Sequence, residues 1–149
     1  MDENVEGISE SAVRAASDVR VVFSRLRRRL RDTYDTEGLT PTQTSALSRL
    51  SKEGPRSASD LAAAERVRPQ SMAATLAALE ERALIQRRPD PDDGRRQLVS
   101  VSGTGQAFLE DKRRASEEWL ARSLQERCTE AERQTLIEAL ALLERLAQP

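Results

Sequence analysis

Apolar residues recur along this chain at two different periods, and the place where the period changes organises the rest. Val19, Val22, Leu26 and Leu30 follow one another at steps of three and four, with Phe23 widening the stripe, which predicts a long amphipathic helix from Ser11 onward. Arg20, Arg25, Arg27, Arg28, Arg29 and Arg31 fill much of its remaining surface. Gly38 closes that segment, and Leu39-Thr40-Pro41-Thr42-Gln43 reads as a new helix start: Thr40 as N-cap, Pro41 at the first helical position, Gln43 reaching back. This second helix runs to about Lys52 with Ala46, Leu47 and Leu50 inward, and Gly54-Pro55 stops it. Ser57 caps a short third helix whose apolar face is Leu61, Ala62 and Ala58, with Asp60 favourably placed in its first turn. After a break at Arg66-Val67-Arg68, Pro69 opens a fourth helix with Met72, Leu76 and Leu79 inward.

The helical period is lost over residues 85–101. Arg87 and Arg88 end one short strand, Pro89 and Pro91 forbid helix, and Asp93-Gly94 turns the chain back through Leu98, Val99 and Val101. A two-stranded ribbon is predicted, with arginines on both arms. Ser102 then caps a long fifth helix marked by Phe108, Ala115 and Trp119, broadened by Leu109, Leu120 and Leu124. Thr129-Glu130-Ala131-Glu132 is a capping box opening a sixth helix with Leu136, Leu140 and Leu143 at heptad-like spacing, beside Ile137 and Leu146.

Two short helices joined by a tight turn and followed by a basic ribbon are the plan of a winged helix-turn-helix. The predicted fold class is therefore mostly α with a small β-wing. Residues 37–102 form the winged unit, 11–36 and 103–149 a helical dimerisation region, and 1–10 a flexible acidic tail. The long terminal helices carry more apolar surface than a small winged unit can cover, so two copies are expected to pack across a twofold axis. With its apolar side turned inward, the fourth helix presents Gln70, Ser71, Ala73 and Ala74, next to Arg68 and Pro69. Such small side chains let a helix lie deep in a major groove, where Gln70 can bond adenine edges and Arg68 a guanine or a phosphate. An alanine-rich helix also exposes alanine without any such role. The ribbon is equally open to two readings, a phosphate or groove reader and a solvated hairpin with internal ion pairs; the arginine cluster of the first helix fits DNA contact, a solvated face or salt bridges to a partner.

Composition narrows the chemistry more than the partner. The net charge of -1 is uninformative, but Asp2, Glu3, Glu6 and Glu10 make the start acidic, while seven arginines against five acids leave residues 66–96 at +2. There is no histidine and a single cysteine, Cys128, which excludes histidine-based triads, zinc sites needing histidine or paired cysteines, and intrachain disulfides. Cys128 reads as a bystander or structural thiol. The adjacent carboxylates Glu80-Glu81 and Asp92-Asp93 point in different directions and make poor acid/base pairs, so no enzyme and no cofactor are expected. Neither a signal segment nor an apolar run of membrane-spanning length is present, and a cytoplasmic setting with no membrane partner follows as an expectation. Arginine is used 22 times against only Lys52 and Lys112, which suits phosphate recognition but also fits a coding bias.

Over nearly its full length the sequence resembles the multiple-antibiotic-resistance regulator (MarR) family of bacterial transcription factors. Leu39-Thr40-Pro41-Thr42-Gln43 is similar to the start of the family's second helix, Leu61-Ala62 to its short third helix, and Leu79-Glu80-Glu81-Arg82-Ala83-Leu84-Ile85 to the end of its recognition helix. Asp90-Pro91-Asp92-Asp93-Gly94-Arg95-Arg96, followed by Leu98-Val99-Ser100-Val101-Ser102 and Gly105, is similar to its wing and exit, the more specific part of the match. The resemblance implies a homodimeric regulator, most often a repressor, that straddles a pseudo-palindromic operator in double-stranded DNA. Recognition helices would enter major grooves and wings the flanking minor grooves. Arg95 matches the wing arginine and Asp93 the acid that orients it, while Arg87, Arg88 and Arg96 become phosphate or support residues. It also implies release by a small aromatic or phenolic effector, for which Phe23, Tyr34 and Trp119 are cleft candidates, although aromatics at helical spacing are commonly core. Two positions depart from the family: Ala83 stands where glycine is frequent, and Arg68 where a serine or threonine cap is frequent. The alternative function is a helical dimeric protein-interaction module without specific DNA binding.

Overall fold

The computed structural model describes residues 7–34 and 38–148, apart from the side chains of Thr33 and Tyr34. The chain divides into two units, residues 1–40 and 41–149. The first contains α1 (Glu10–Tyr34), which begins one residue earlier than its pattern suggested. Its stripe of Val19, Val22, Phe23 and Leu26 is exposed, Phe23 at 64%. Of the acidic tail expected at residues 1–10, the first six lie outside the described residues and Glu10 is already helical.

The second unit builds its core where the apolar periodicities placed it. Helices α2 (Pro41–Glu53), α3 (Ala58–Glu65) and α4 (Pro69–Glu81) bury Ala46, Leu47, Leu50, Leu61, Ala62, Met72, Leu76 and Leu79, and Val99 from the sheet completes the centre. Thr75 is buried as well, an inward position of α4 that its polarity disguised. Ser57 caps α3 by accepting the Asp60 N–H at 3.2 Å.

Both helices of this pair end in the same way. Arg66 and Val67 donate their N–H groups to Ala63 and Ala62 (3.2 and 3.0 Å), and Ala83 and Leu84 donate theirs to Glu80 and Leu79 (2.8 and 2.9 Å). This double bond pattern defines the Schellman turn, which needs one residue in left-handed conformation. Arg66 (φ 55°) and Ala83 (φ 57°) supply it without being glycine.

The wing is larger than its sequence suggested. Strands β2 (Ile85–Pro89) and β3 (Gln97–Val101) form the predicted antiparallel ribbon, with Ile85 opposite Val101 and Pro89 opposite Gln97. A third strand, β1 (Arg56–Ser57), pairs with the other edge of β3, placing Arg56 opposite Val99 and Ser57 opposite Leu98. The sheet order is therefore β1-β3-β2, not a two-stranded ribbon. A strand of two residues has no alternation to read, and its partner lies some forty positions away.

Helix α5 (Gly103–Arg127) leaves the sheet through a close junction. Ser102 accepts the Gly105 N–H at 3.0 Å, donates its hydroxyl to the Ala83 carbonyl at 2.5 Å, and donates its backbone N–H to the Leu84 carbonyl at 3.1 Å. A Cβ on Gly105 would stand 2.0 Å from the Leu84 oxygen, so only glycine permits this approach. Phe108 of α5 meets Arg82 and Lys112, whose cationic groups lie 5.6 and 4.9 Å from its ring centre. Helix α6 (Glu130–Ala147) opens with the predicted capping box, Thr129 and Glu132 bonding each other's backbone N–H groups. It leaves Leu136, Ile137, Leu140 and Leu146 exposed. Among the described residues no helix is long and apolar enough to cross a membrane.

Candidate nucleic-acid interface

The outward side of α4 follows from its inward one. Because Met72, Thr75, Leu76 and Leu79 are buried, Gln70, Ser71, Ala73 and Ala74 are exposed together, with Arg68 and Pro69 at the entrance. Arg68 occupies the N-cap in extended conformation (φ -68°, ψ 146°) and makes no side-chain cap bond, so the expected loss of a cap is real. Its guanidinium stays on the surface beside the helix start.

The wing loop, residues 90–96, is held by its own aspartates. Asp90 accepts the Asp92 N–H at 2.9 Å, and Asp93 accepts the Arg95 N–H at 3.1 Å, both the local turns that aspartate favours. Asp93 thus bonds the backbone of Arg95; the expected grip on its guanidinium is not made. A carboxylate two residues back reaches the N–H before it reaches an extended side chain.

The four wing arginines divide into two kinds. Arg87 Nε lies 3.1 Å from the Glu80 carboxylate of α4, and Arg96 Nη2 donates to Ser57 Oγ at 2.9 Å and to Asp60 Oδ2 at 3.0 Å. Arg88 and Arg95 are exposed and have no ion-pair partner among the described residues. The Ser57 hydroxyl holds the Asp60 carboxyl below its usual range; desolvation opposes this and the Arg96 guanidinium reinforces it.

Behind this surface lies a polar brace that sequence reasoning missed. Glu65, at the end of α3, accepts from Ser45 Oγ at 2.6 Å and Arg49 Nε at 2.5 Å on α2, and Arg49 continues to Glu53 at 2.7 Å, which also pairs with Arg56 of β1 at 2.7 Å. The Glu65 side chain is only 10% exposed. Arg49 and then Ser45 hold its carboxyl below the usual range. Arg49 with Glu53 at helical spacing was visible locally; its partner Glu65, sixteen positions on, was not.

The candidate cleft residues are spread over both units. Phe23 shares one exposed face of α1 with Arg20, Ser24, Arg27, Arg28 and Arg31, Trp119 is half-buried on α5, and the Tyr34 side chain lies outside the described residues.

A short helix pair, an exposed small-residue face on the second helix and a three-stranded wing carrying exposed arginines define a winged helix-turn-helix regulator. The comparisons with known proteins agree and narrow it. The sequence profile of the MarR family matches residues 39–96. An uncharacterised HTH-type transcriptional regulator of Mycobacterium bovis is 42% identical over 115 residues, 77% of this chain and 80% of the relative. A crystal structure from Pseudomonas aeruginosa, described as a transcriptional regulator, superimposes with a TM-score of 0.79 at 36% identity, covering 95% of this chain and 99% of that one. A point mutant of Staphylococcus aureus MepR, solved bound to an oligodeoxyribonucleotide, shares the fold at 19% identity with a TM-score of 0.68, covering 90% and 98%. The chain belongs to the MarR family of transcriptional regulators. Its family and relatives are regulators, not enzymes.

Proposed function

We propose that this protein acts as a homodimeric repressor that binds a pseudo-palindromic operator in double-stranded DNA, the α4 face entering the major groove and the wing a flanking minor groove. The observation that carries the reading is the placement, within one unit, of the exposed Gln70, Ser71, Ala73 and Ala74 face and of Arg68, Arg88 and Arg95, which have no ion-pair partner among the described residues. Gln70 would read adenine, and Arg95 would enter a narrow A/T-rich minor groove whose potential attracts it. The exposed apolar faces of α1 and α6 support a second copy as partner. Release by a small aromatic or phenolic effector is the finer part of the proposal, supported by exposed Phe23 amid guanidinium groups.

The test is footprinting on duplexes selected from a random pool. An inverted repeat is expected, with half-sites about one helical turn apart. Arg95→Ala should lower affinity and reduce the slope of log affinity against log salt by about one, and Gln70→Ala should relax base preference. Weak binding indifferent to sequence would instead favour a protein-interaction module.

A further inference from the structure

We propose that Arg96 and Asp60 form a latch that fixes the wing loop against the start of α3, making Arg96 a positioning residue for its neighbour Arg95; this rests on the DNA reading above. No residue of the loop is tied down on more sides. Its N–H donates to the Asp93 carbonyl at 2.9 Å and its own carbonyl accepts the Asp90 N–H at 2.9 Å, closing the loop's base. Its guanidinium leaves the loop altogether, reaching Ser57 Oγ and Asp60 Oδ2. Ser57 is itself 5% exposed, paired with Leu98 in the sheet and bonded to the Asp60 N–H as the cap of α3. One side chain therefore joins the wing loop to strand β1 and helix α3 at once. The Arg87 pair with Glu80 braces β2 against α4 in the same manner.

Arg96 and Asp60 side chains are 45% and 55% exposed, and an ion pair so solvated adds little to stability. What it can decide is where the loop stands, and hence where Arg95 points. The two roles open to Arg96 make opposite demands on Asp60. If Arg96 were a phosphate ligand held back by Asp60, Asp60→Asn would remove a repelling charge, free the arginine and tighten DNA binding. If Arg96 is a latch, the same variant lets the loop drift and weakens it.

The probe is a duplex recovered by the wild-type protein from a random pool, with a shortened form lacking the flanks beyond the major-groove half-sites. Asp60→Asn and Arg96→Gln are each expected to lower affinity for the full duplex by about threefold to tenfold. The double variant should be no worse than either single one. Binding to the shortened duplex should not change, and Arg95→Ala should cost Arg96→Gln less affinity than it costs the wild type. Tighter binding by Asp60→Asn, or an Arg95→Ala cost in Arg96→Gln as large as in the wild type, overturns the latch. Hydrogen exchange in the free protein decides it independently of DNA: both variants should lower the protection of the residue 96 amide, relative to its intrinsic rate, while α2 is unaffected, and unchanged protection overturns the proposal. If the wild type selects no sequence, the DNA reading falls and this exchange measurement still decides the latch.

Discussion

Replacing Ala83 by glycine should make the protein more stable, although Ala is the better helix former and nothing is added to the core. Ala83 sits at φ 57° immediately after α4, in the turn where the Leu84 N–H returns to the Leu79 carbonyl at 2.9 Å. A residue with a Cβ is disfavoured in that conformation by about 1–2 kcal/mol. Glycine loses more chain freedom on folding, which offsets about 0.5–1 kcal/mol of the gain. Ala83 is exposed, so deleting its methyl removes little packing. The net expectation is a stabilisation of about 0.5–1 kcal/mol, or a rise in melting temperature of about 1–4 °C for a chain of this size. Urea unfolding followed by circular dichroism reads this as a higher midpoint with an unchanged slope, at one fixed protein concentration because self-association would shift the midpoint. Ala74→Gly, in the exposed middle of the same helix, is the control and should lose about 1 kcal/mol. If Ala83→Gly is neutral or loses stability as the control does, the left-handed turn and the reasoning built on it are wrong.

Two further changes probe the frame that holds the reading surface. Gly105→Ala places a Cβ 2.0 Å from the Leu84 carbonyl oxygen and 2.8 Å from Val101 Cγ1, so the α5 junction must shift; a loss of about 3 kcal/mol is expected in the same unfolding assay, and a wild-type midpoint would show that α5 does not approach the sheet so closely. Glu65→Gln should lose about 1 kcal/mol at neutral pH, because glutamine keeps an acceptor oxygen for Arg49 or Ser45 while the charge assistance is lost. Because folding lowers the Glu65 pKa, its contribution is present above the unfolded value of about 4.3 and is lost as pH falls through the folded value. The wild-type and variant curves should therefore converge in acid, and a gap that stays constant from neutral pH to about pH 3 would refute the assignment.

Much of the fold is legible from neighbouring residues, because short-range physics decides it. The three- and four-residue spacing of Leu47, Leu50, Leu61, Met72, Leu76 and Leu79 sets the buried sides of three helices. Ser57, Ser102 and Thr129 each cap the helix that follows through an N–H only three residues away. The wing turn is written in Asp90 and Asp93, which accept from N–H groups two residues on. Tertiary structure decided whatever depends on residues far apart in sequence. β1 exists because β3 offers it an edge, Glu65 matters because α3 ends beside α2, and Gly105 is required because α5 starts against the Leu84 carbonyl. The same holds for the wing. The family resemblance singles out Arg95 among its four arginines, but only the folded positions of Asp60 and Glu80 separate Arg96 and Arg87, which brace, from Arg88 and Arg95, which have no ion-pair partner among the described residues. An ion pair is selected by distance in space, and along this chain the Arg96 partner lies thirty-six positions away.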